Sequence, residues 1–294
     1  MSEASGQGKA ALAALTGGAL IGFAPIAIRL SEVGPHATNL WRFVIALPIL
    51  AVWAALARPS PTPQQAGLIL AAGALFGFEI SLWAAALQLT TVTNATLLVN
   101  LTPVFAALAG WFLFREKLVP PVIAGVAIAL AGAVMLTLAR VQASAPSQAE
   151  HGWAGDALAL CGAAVYSGYF LLLRALGRSV GVGAVMFGAT FSAAIVSLIL
   201  ALALNEPMLP RTANGWVLLV GLGLVVQVLG QGLIAYGVAR LPIVISTVLL
   251  WMQPLVAAAL SWLMFGEALG VLGFAGAALV LAGLFVVQRS RARQ

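Results

Sequence analysis

One stretch of this chain is written twice. Thr96 to Gly132 reads TLLVNLTPVFAALAGWFLFREKLVPPVIAGVAIALAG, and Thr247 to Gly283 reads TVLLWMQPLVAAALSWLMFGEALGVLGFAGAALVLAG. Pro103 and Pro254, Trp111 and Trp262, Glu116 and Glu267, Gly125 and Gly276, and Gly132 and Gly283 are each 151 residues apart, with no gap between them. An ungapped match of this kind is an internal duplication, and it obliges the fold to have two similar halves. Each copy is an apolar run, a polar break around a Glu, and a second apolar run.

The medium follows from composition. The chain is 62% hydrophobic and 7% charged, with a mean hydropathy of +1.07. Soluble domains carry roughly a quarter charged residues, so a soluble fold is excluded. An apolar run of about 20 residues spans a bilayer as a helix. The apolar runs here are continuous rather than alternating, which favours helices over a barrel. Ten spans are expected, near 10–30, 38–57, 65–88, 93–114, 120–139, 153–175, 182–204, 214–239, 243–265 and 270–288. Short breaks carry turn residues: Gly34-Pro35, Pro59-Ser60-Pro61, Pro120-Pro121, Pro207 and Pro242. The longest break, 140–152, is polar and reads as a linker between a first five-span repeat, 1–139, and a second, 153–294, which ends in a basic tail. The fold class is thus all-α and integral to the membrane, with ten transmembrane helices. Met1 to Lys9 precede an apolar segment long enough to stay as an anchor. The single Cys161 excludes an intramolecular disulfide and reads as packing.

Basic residues set the orientation. With the N-terminus cytoplasmic, the inner segments hold Lys9, Arg58, Arg115, Lys117, Arg174, Arg178, Arg240, Arg289, Arg291 and Arg293. The outer segments hold Arg29, Arg140 and Arg211. Both termini are therefore expected in the cytoplasm, with 143–151 on the outer side. Five spans per half is an odd number, so the second half enters the membrane inverted. Arg115-Glu116-Lys117 accordingly becomes Gly266-Glu267-Ala268: the basic residues leave and the Glu stays. Inverted repeats are a hallmark of secondary transporters, with the solute site near the midplane between the halves.

Ten spans in two inverted halves, each ending Pro…Trp…Phe-x-Glu…Gly…Gly, resemble the drug/metabolite transporter superfamily in its EamA branch. Within that branch the chain also resembles the YddG-type bacterial exporters of aromatic and other amino acids. The resemblance implies two EamA-like five-helix repeats and outward movement of amino acids or similar metabolites. The smaller four-helix relatives couple protons through a Glu in their first span. The first span here has no acid, so that mechanism does not transfer by position.

Glu79 is the one acid read as lying deep within a span. An intramembrane carboxylate costs about 2.5–3.5 kcal/mol on insertion scales and normally faces a cavity or a partner. Helical spacing puts Phe76, Glu79, Ile80, Trp83 and Leu87 on one face of span 3. The 151-residue offset carries Phe76 onto Gln227 and Ile80 onto Gln231, two amides four residues apart on an otherwise apolar helix. They suit either a cavity or interhelical bonding worth perhaps 1 kcal/mol. Thr93, Thr96, Asn100 and Pro103 share a face of span 4, and Thr247, Trp251 and Pro254 answer in span 9. The two prolines are expected to kink their helices, and Gly22 with Pro25 to hinge span 1. Tyr166 and Tyr169 lie mid-span and call for partners, one of them lining the cavity. Trp41, Trp53, Trp153 and Trp216 read as interface anchors. Glu116 and Glu267 read as helix caps, and Arg42 as a structural residue snorkelling near the outer surface.

The candidate cavity is thus Phe76, Glu79, Trp83, Thr96, Asn100, Tyr169, Gln227, Gln231 and Trp251. Both histidines, His36 and His151, fall in expected loops, which leaves no parts for a buried dyad or His-based metal site. No phosphate-binding motif exists, so ATP is not expected to drive the chain directly. The expectation is a non-enzymatic carrier without cofactor or metal, a monomer or weak dimer whose partners are a small solute and lipid rather than nucleic acid. The alternative is a membrane sensor without flux.

Overall fold

A computed structural model describes residues 2–115, 119–143, 146–176, 180–238, 241, 249 and 251–291. Glu116, Lys117 and Thr247 lie outside them. The described residues build helices α1 (Ser2–Ile21), α2 (Ala24–Arg29), α3 (Pro35–Leu56), α4 (Pro63–Leu89), α5 (Val92–Val99), α6 (Thr102–Phe114), α7 (Pro120–Ala143), α8 (Pro146–Leu176), α9 (Val182–Ala203) and α10 (Ala213–Gly221). A π-helix, Leu222–Gly230, joins α10 to α11 (Gln231–Val238); α12 (Met252–Phe265) and α13 (Val271–Arg291) follow. Nine helical stretches here are long and apolar enough to cross a bilayer, and α12 is a shorter apolar helix. This is a multi-pass membrane fold.

Local chemistry sets the element ends. Pro35, Pro63, Pro120 and Pro146 stand first in their helices, where a missing N–H costs nothing. Thr62 and Gln65 close a capping box on α4. Arg115 (φ 54°) and Gly266 (φ 66°) both take the left-handed conformation just past a helix end. They occupy equivalent places in the two copies, so the duplication extends to backbone geometry. The polar stretch expected as a linker is largely helical, because α7 runs to Ala143 and α8 begins at Pro146. Its Ala, Gln and Glu favour helix, and Pro146 needs no backbone donor in a first turn.

The repeat glycines explain how the halves meet. Gly125 packs on Gly283 and Gly132 on Gly276, so α7 and α13 run antiparallel. A Cβ on Gly283 would stand 2.4 Å from the backbone nitrogen of Ala129. Small residues let helix backbones approach this closely in lipid. The 151-residue offset carries the Gly125–Gly283 pair onto the Gly276–Gly132 pair, which is the exchange a two-fold between inverted halves produces. Elsewhere α4 packs on α8 and α9, α3 on α9 and the π-helix, and α1 on α11 and the π-helix.

Several polar ties join loops at the end that the charge count places outside. Glu206, in the α9–α10 loop, accepts the N–H groups of His36 (3.0 Å) and Ala37 (2.9 Å) at the start of α3 and pairs with His36 Nδ1 at 2.6 Å. Glu32, in the α2–α3 loop, returns the favour at α10 by accepting from the backbone of Arg211 and Thr212 and from the Thr212 hydroxyl. Glu267 accepts from Val92 N at the start of α5 (2.9 Å), from Ser261 and from Arg29. Glu267 is therefore a cap, but of a helix in the other half rather than of the span that follows it. His36 is not a loop residue. It sits buried in the first turn of α3, because Pro35 starts that helix earlier than the apolar run suggests.

Candidate functional site

Span 4 is not one helix. Pro103 cannot donate a hydrogen bond, which frees the Val99 carbonyl, and the Thr102 hydroxyl donates to it at 2.7 Å. The Asn100 amide donates to the Thr96 carbonyl, also at 2.7 Å. α5 ends at Val99 and α6 begins at Thr102. Span 9 has the matching feature, with Trp251 in a turn ahead of α12 and Pro254 in its first turn. Span 1 is interrupted at Gly22-Phe23, and α2 restarts with Pro25 near its N-terminus. All four expected kink positions thus lie at or beside a break or a helix start.

Beside the span 4 break the polar residues gather. Glu79 and Trp83 of α4 are 4% and 3% exposed. At Gly162, α8 comes within contact distance of the Glu79 carbonyl, Leu82 and Val99, so α4, α5 and α8 meet at this level. Glu79 lies ten residues inside the Leu89 end of α4, about 15 Å along the axis. Its electrostatic neighbours are Arg42 of α3 and the tyrosines Tyr166 and Tyr169 of α8. The rings form a wall. Phe43 to Phe76 is 5.9 Å, Phe76 to Tyr169 is 5.5 Å, and Tyr166 stacks on Tyr169 at 5.4 Å.

Arg42 overturns its expected role. It is 1% exposed and does not snorkel. Its Nε donates to Gln227 Oε1 at 3.0 Å, and Gln227 Nε2 donates to the Thr190 hydroxyl at 3.1 Å. Arg42 enters from the first half, Gln227 and Thr190 from the second. Gln227 sits within the π-helix, a distortion frequent at functional sites. The rule that singled out Glu79, a charge inside a span, applies equally to Arg42. Closeness to a predicted span end concealed it. Asp156 is a second acid with buried partners: it lies about a third of the way along α8, where it accepts from Thr90 at 2.6 Å and Asn94 at 3.4 Å.

Several buried side-chain atoms of α3, α4 and α5 have no hydrogen-bond partner among the described residues: Arg42 Nη1, Asn39 Oδ1, Trp83 Nε1, and the hydroxyls of Thr93 and Thr96. Burying such groups unbonded costs about 1–3 kcal/mol each. The fold thus brings Phe76, Glu79, Tyr169 and Gln227 together around Arg42, with Trp83 one turn along the Glu79 face. Gln231 is half-buried and stands outside the Arg42 bonds. Trp251 meets Phe285 edge-on at 6.2 Å, towards the last helix. A groove of about 580 Å³ lined by Pro48, Ile49, Val52, Trp53 and Leu56 lies further along α3 and offers only apolar side chains with one indole.

The EamA-like transporter family matches residues 8–138 and 153–289. The chain belongs to that family. This EamA protein is 35% identical over 118 residues to an "uncharacterized transporter" of Archaeoglobus fulgidus, a match covering 38% of this chain and 39% of that one. It is 28% identical over 276 residues to a "probable terminal-alkyne amino-acid exporter" of Streptantibioticus cattleyicolor, covering 91% of this chain and 88% of the relative. A solved structure described as "crystal structure of protein" superposes with a TM-score of 0.63 at 25% identity, over 97% of this chain and 98% of the other. Membership makes this a multi-pass protein of a family of transporters, not enzymes.

Proposed function

We propose that this EamA protein is a secondary carrier that exports amino acids or similar small metabolites by alternating access. The carrying observation is that buried Arg42 of the first half is bonded to Gln227 of the second while Arg42 Nη1, and Asn39 Oδ1 one turn before it, have no partner among the described residues. Polar groups facing one another at the junction of inverted repeats are where a carrier holds its solute. The relative named an amino-acid exporter supports the solute class. Phe76, Glu79, Trp83, Thr96, Tyr169 and Gln227 line the site with Arg42, while Asn100, Gln231 and Trp251 stand further along its walls. The breaks at Gly22-Pro25, Pro103 and Pro254 are the hinges. The membrane is the bacterial inner membrane, with both termini cytoplasmic. The two repeats, 1–139 and 153–294, rock against each other about that site. Transport is uniport, driven by the solute gradient, because no acid in span 1 and no second acid beside Glu79 completes a proton relay.

Proteoliposomes with purified protein test this. Labelled amino acid is expected to exchange across the bilayer. Glu79→Gln should retain counterflow, with little response to an imposed pH gradient in either form. Accumulation of solute on a pH gradient, lost selectively in Glu79→Gln, would make this a proton-coupled carrier instead. Absence of flux for every solute tried would favour a sensor.

A further inference from the structure

The Arg42 guanidinium is held as a binding group rather than as a packing one. Gln227 holds its Nε, Thr190 holds Gln227, and Nη1 is left without a partner in a residue 1% exposed. A fixed, buried, half-bonded guanidinium presents its planar fork to an oxyanion, and to a carboxylate above all. Across from it, Glu79 has no side-chain hydrogen bond among the described residues, and its carboxylate does not come within 4 Å of Arg42. The two groups are electrostatic neighbours that do not touch. Asn39, one turn before Arg42 on α3, donates to the Ile80 carbonyl and leaves its own Oδ1 unbonded. An unbonded acceptor and a carboxylate therefore sit beside an unbonded cationic donor. The aromatic wall adjoins both, since the Arg42 guanidinium lies 5.6 Å from the Phe43 ring and Phe43 contacts Phe76.

We propose that this cluster binds the α-amino-acid zwitterion itself. The carboxylate seats on Arg42 Nη1, the ammonium between Glu79 and Asn39 Oδ1, and an apolar or aromatic side chain lies on the Phe43–Phe76–Tyr169 wall. The proposal rests on the transporter reading above and specifies its solute. Opposite charges on the site match opposite charges on the ligand, so a net-neutral solute enters a net-neutral pocket and leaves no charge unpaired. A solute with only one of the two charges strands either Arg42 or Glu79 in a water-poor interior, which is the costly case. Gln227 is a positioning residue, because it acts through Arg42.

The test uses full-length protein in nanodiscs and three probes that share one side chain: L-phenylalanine, phenethylamine without the carboxylate, and 3-phenylpropionate without the ammonium. Binding is followed by calorimetry. Phenylalanine should bind at least about tenfold more tightly than either analogue. Arg42→Gln should bring phenylalanine and phenethylamine to within about twofold of each other while still disfavouring phenylpropionate; Glu79→Gln should do the reverse. Equal binding of phenylalanine and phenethylamine by the wild type overturns the assignment, and so does a variant that weakens all three probes by one common factor. If Arg42→Gln does not fold, the wild-type series alone decides. Failure to bind any probe while another solute is transported removes the zwitterion site and keeps the carrier. Selective binding without flux does the opposite.

Discussion

Glu206 accepts three hydrogen bonds at the predicted outer end, whereas Glu79 accepts none among the described residues at the centre of the bundle. The same contrast holds for their surroundings. Glu32 and Glu267 each accept from backbone N–H groups and hydroxyls. The Trp83 indole N–H and the Thr93 and Thr96 hydroxyls are buried with no hydrogen-bond partner among the described residues. Carboxylates at the outer end therefore act as fasteners between helix starts, with their bonding capacity spent inside the protein. Polar groups at the centre keep theirs unspent. A folded protein tolerates that only where another molecule completes the bonding, or where function requires it.

The largest effect should come from unfastening the outer end. Glu206→Ala strips two backbone donors at the start of α3 and the His36 partner, a loss of roughly 3 kcal/mol at about 1 kcal/mol per bond. The melting temperature in detergent should fall, while flux per folded molecule stays within about twofold. A flux loss without destabilisation would make Glu206 part of the transport machinery and erase the contrast.

At the centre the signs reverse. Trp83→Phe keeps an aromatic face but removes the unbonded N–H together with the pyrrole half of the indole. Stability should change by no more than about 1 kcal/mol, because lost packing opposes the removal of an unbonded group, and transport should fall about tenfold if that N–H meets the solute. Thr96→Val is a smaller, near-isosteric version of the same experiment, with a several-fold loss of flux and an unchanged melting temperature. A clear destabilisation of Thr96→Val, which keeps the side-chain shape, would show that the hydroxyl has a structural partner.

Gln227→Leu and Gln231→Leu sharpen the comparison within one helix. Gln227 serves Arg42 directly, so its loss should lower both stability and transport. Gln231 lies outside those bonds, and its substitution should alter transport alone, and less.

The smallest effect concerns acid. The Thr212 hydroxyl holds the exposed Glu32 carboxyl below its usual range, with the N–H groups of Thr212 and Arg211 adding to the effect against a desolvation that opposes it. A lowered folded-state pKa stabilises at neutral pH, and that contribution is lost as pH falls through it. Wild type and Glu32→Gln should therefore differ slightly in unfolding at neutral pH and converge in acid. A gap that widens in acid would contradict the assignment.

The duplication, the run lengths and the prolines determined the architecture. Those signals are local or one-dimensional: an apolar run must be a helix in lipid, a proline must break its ladder, and an odd number of spans must invert the copy. They also marked Glu79, Trp83 and Gln227, since a polar group in an apolar run stands out by composition. Only the tertiary structure decided what each polar group touches. Arg42 changed from a surface snorkeller to a buried anchor because α9 and the π-helix close over it. Glu267 turned out to cap a helix 175 residues away. Thr190 has nothing in its sequence neighbourhood to distinguish it from any other threonine in a span. Hydrogen bonds between helices depend on the rotation and crossing of two separate elements. The 3.6-residue period of one helix says which residues share a face, but not which face of a distant helix lies opposite.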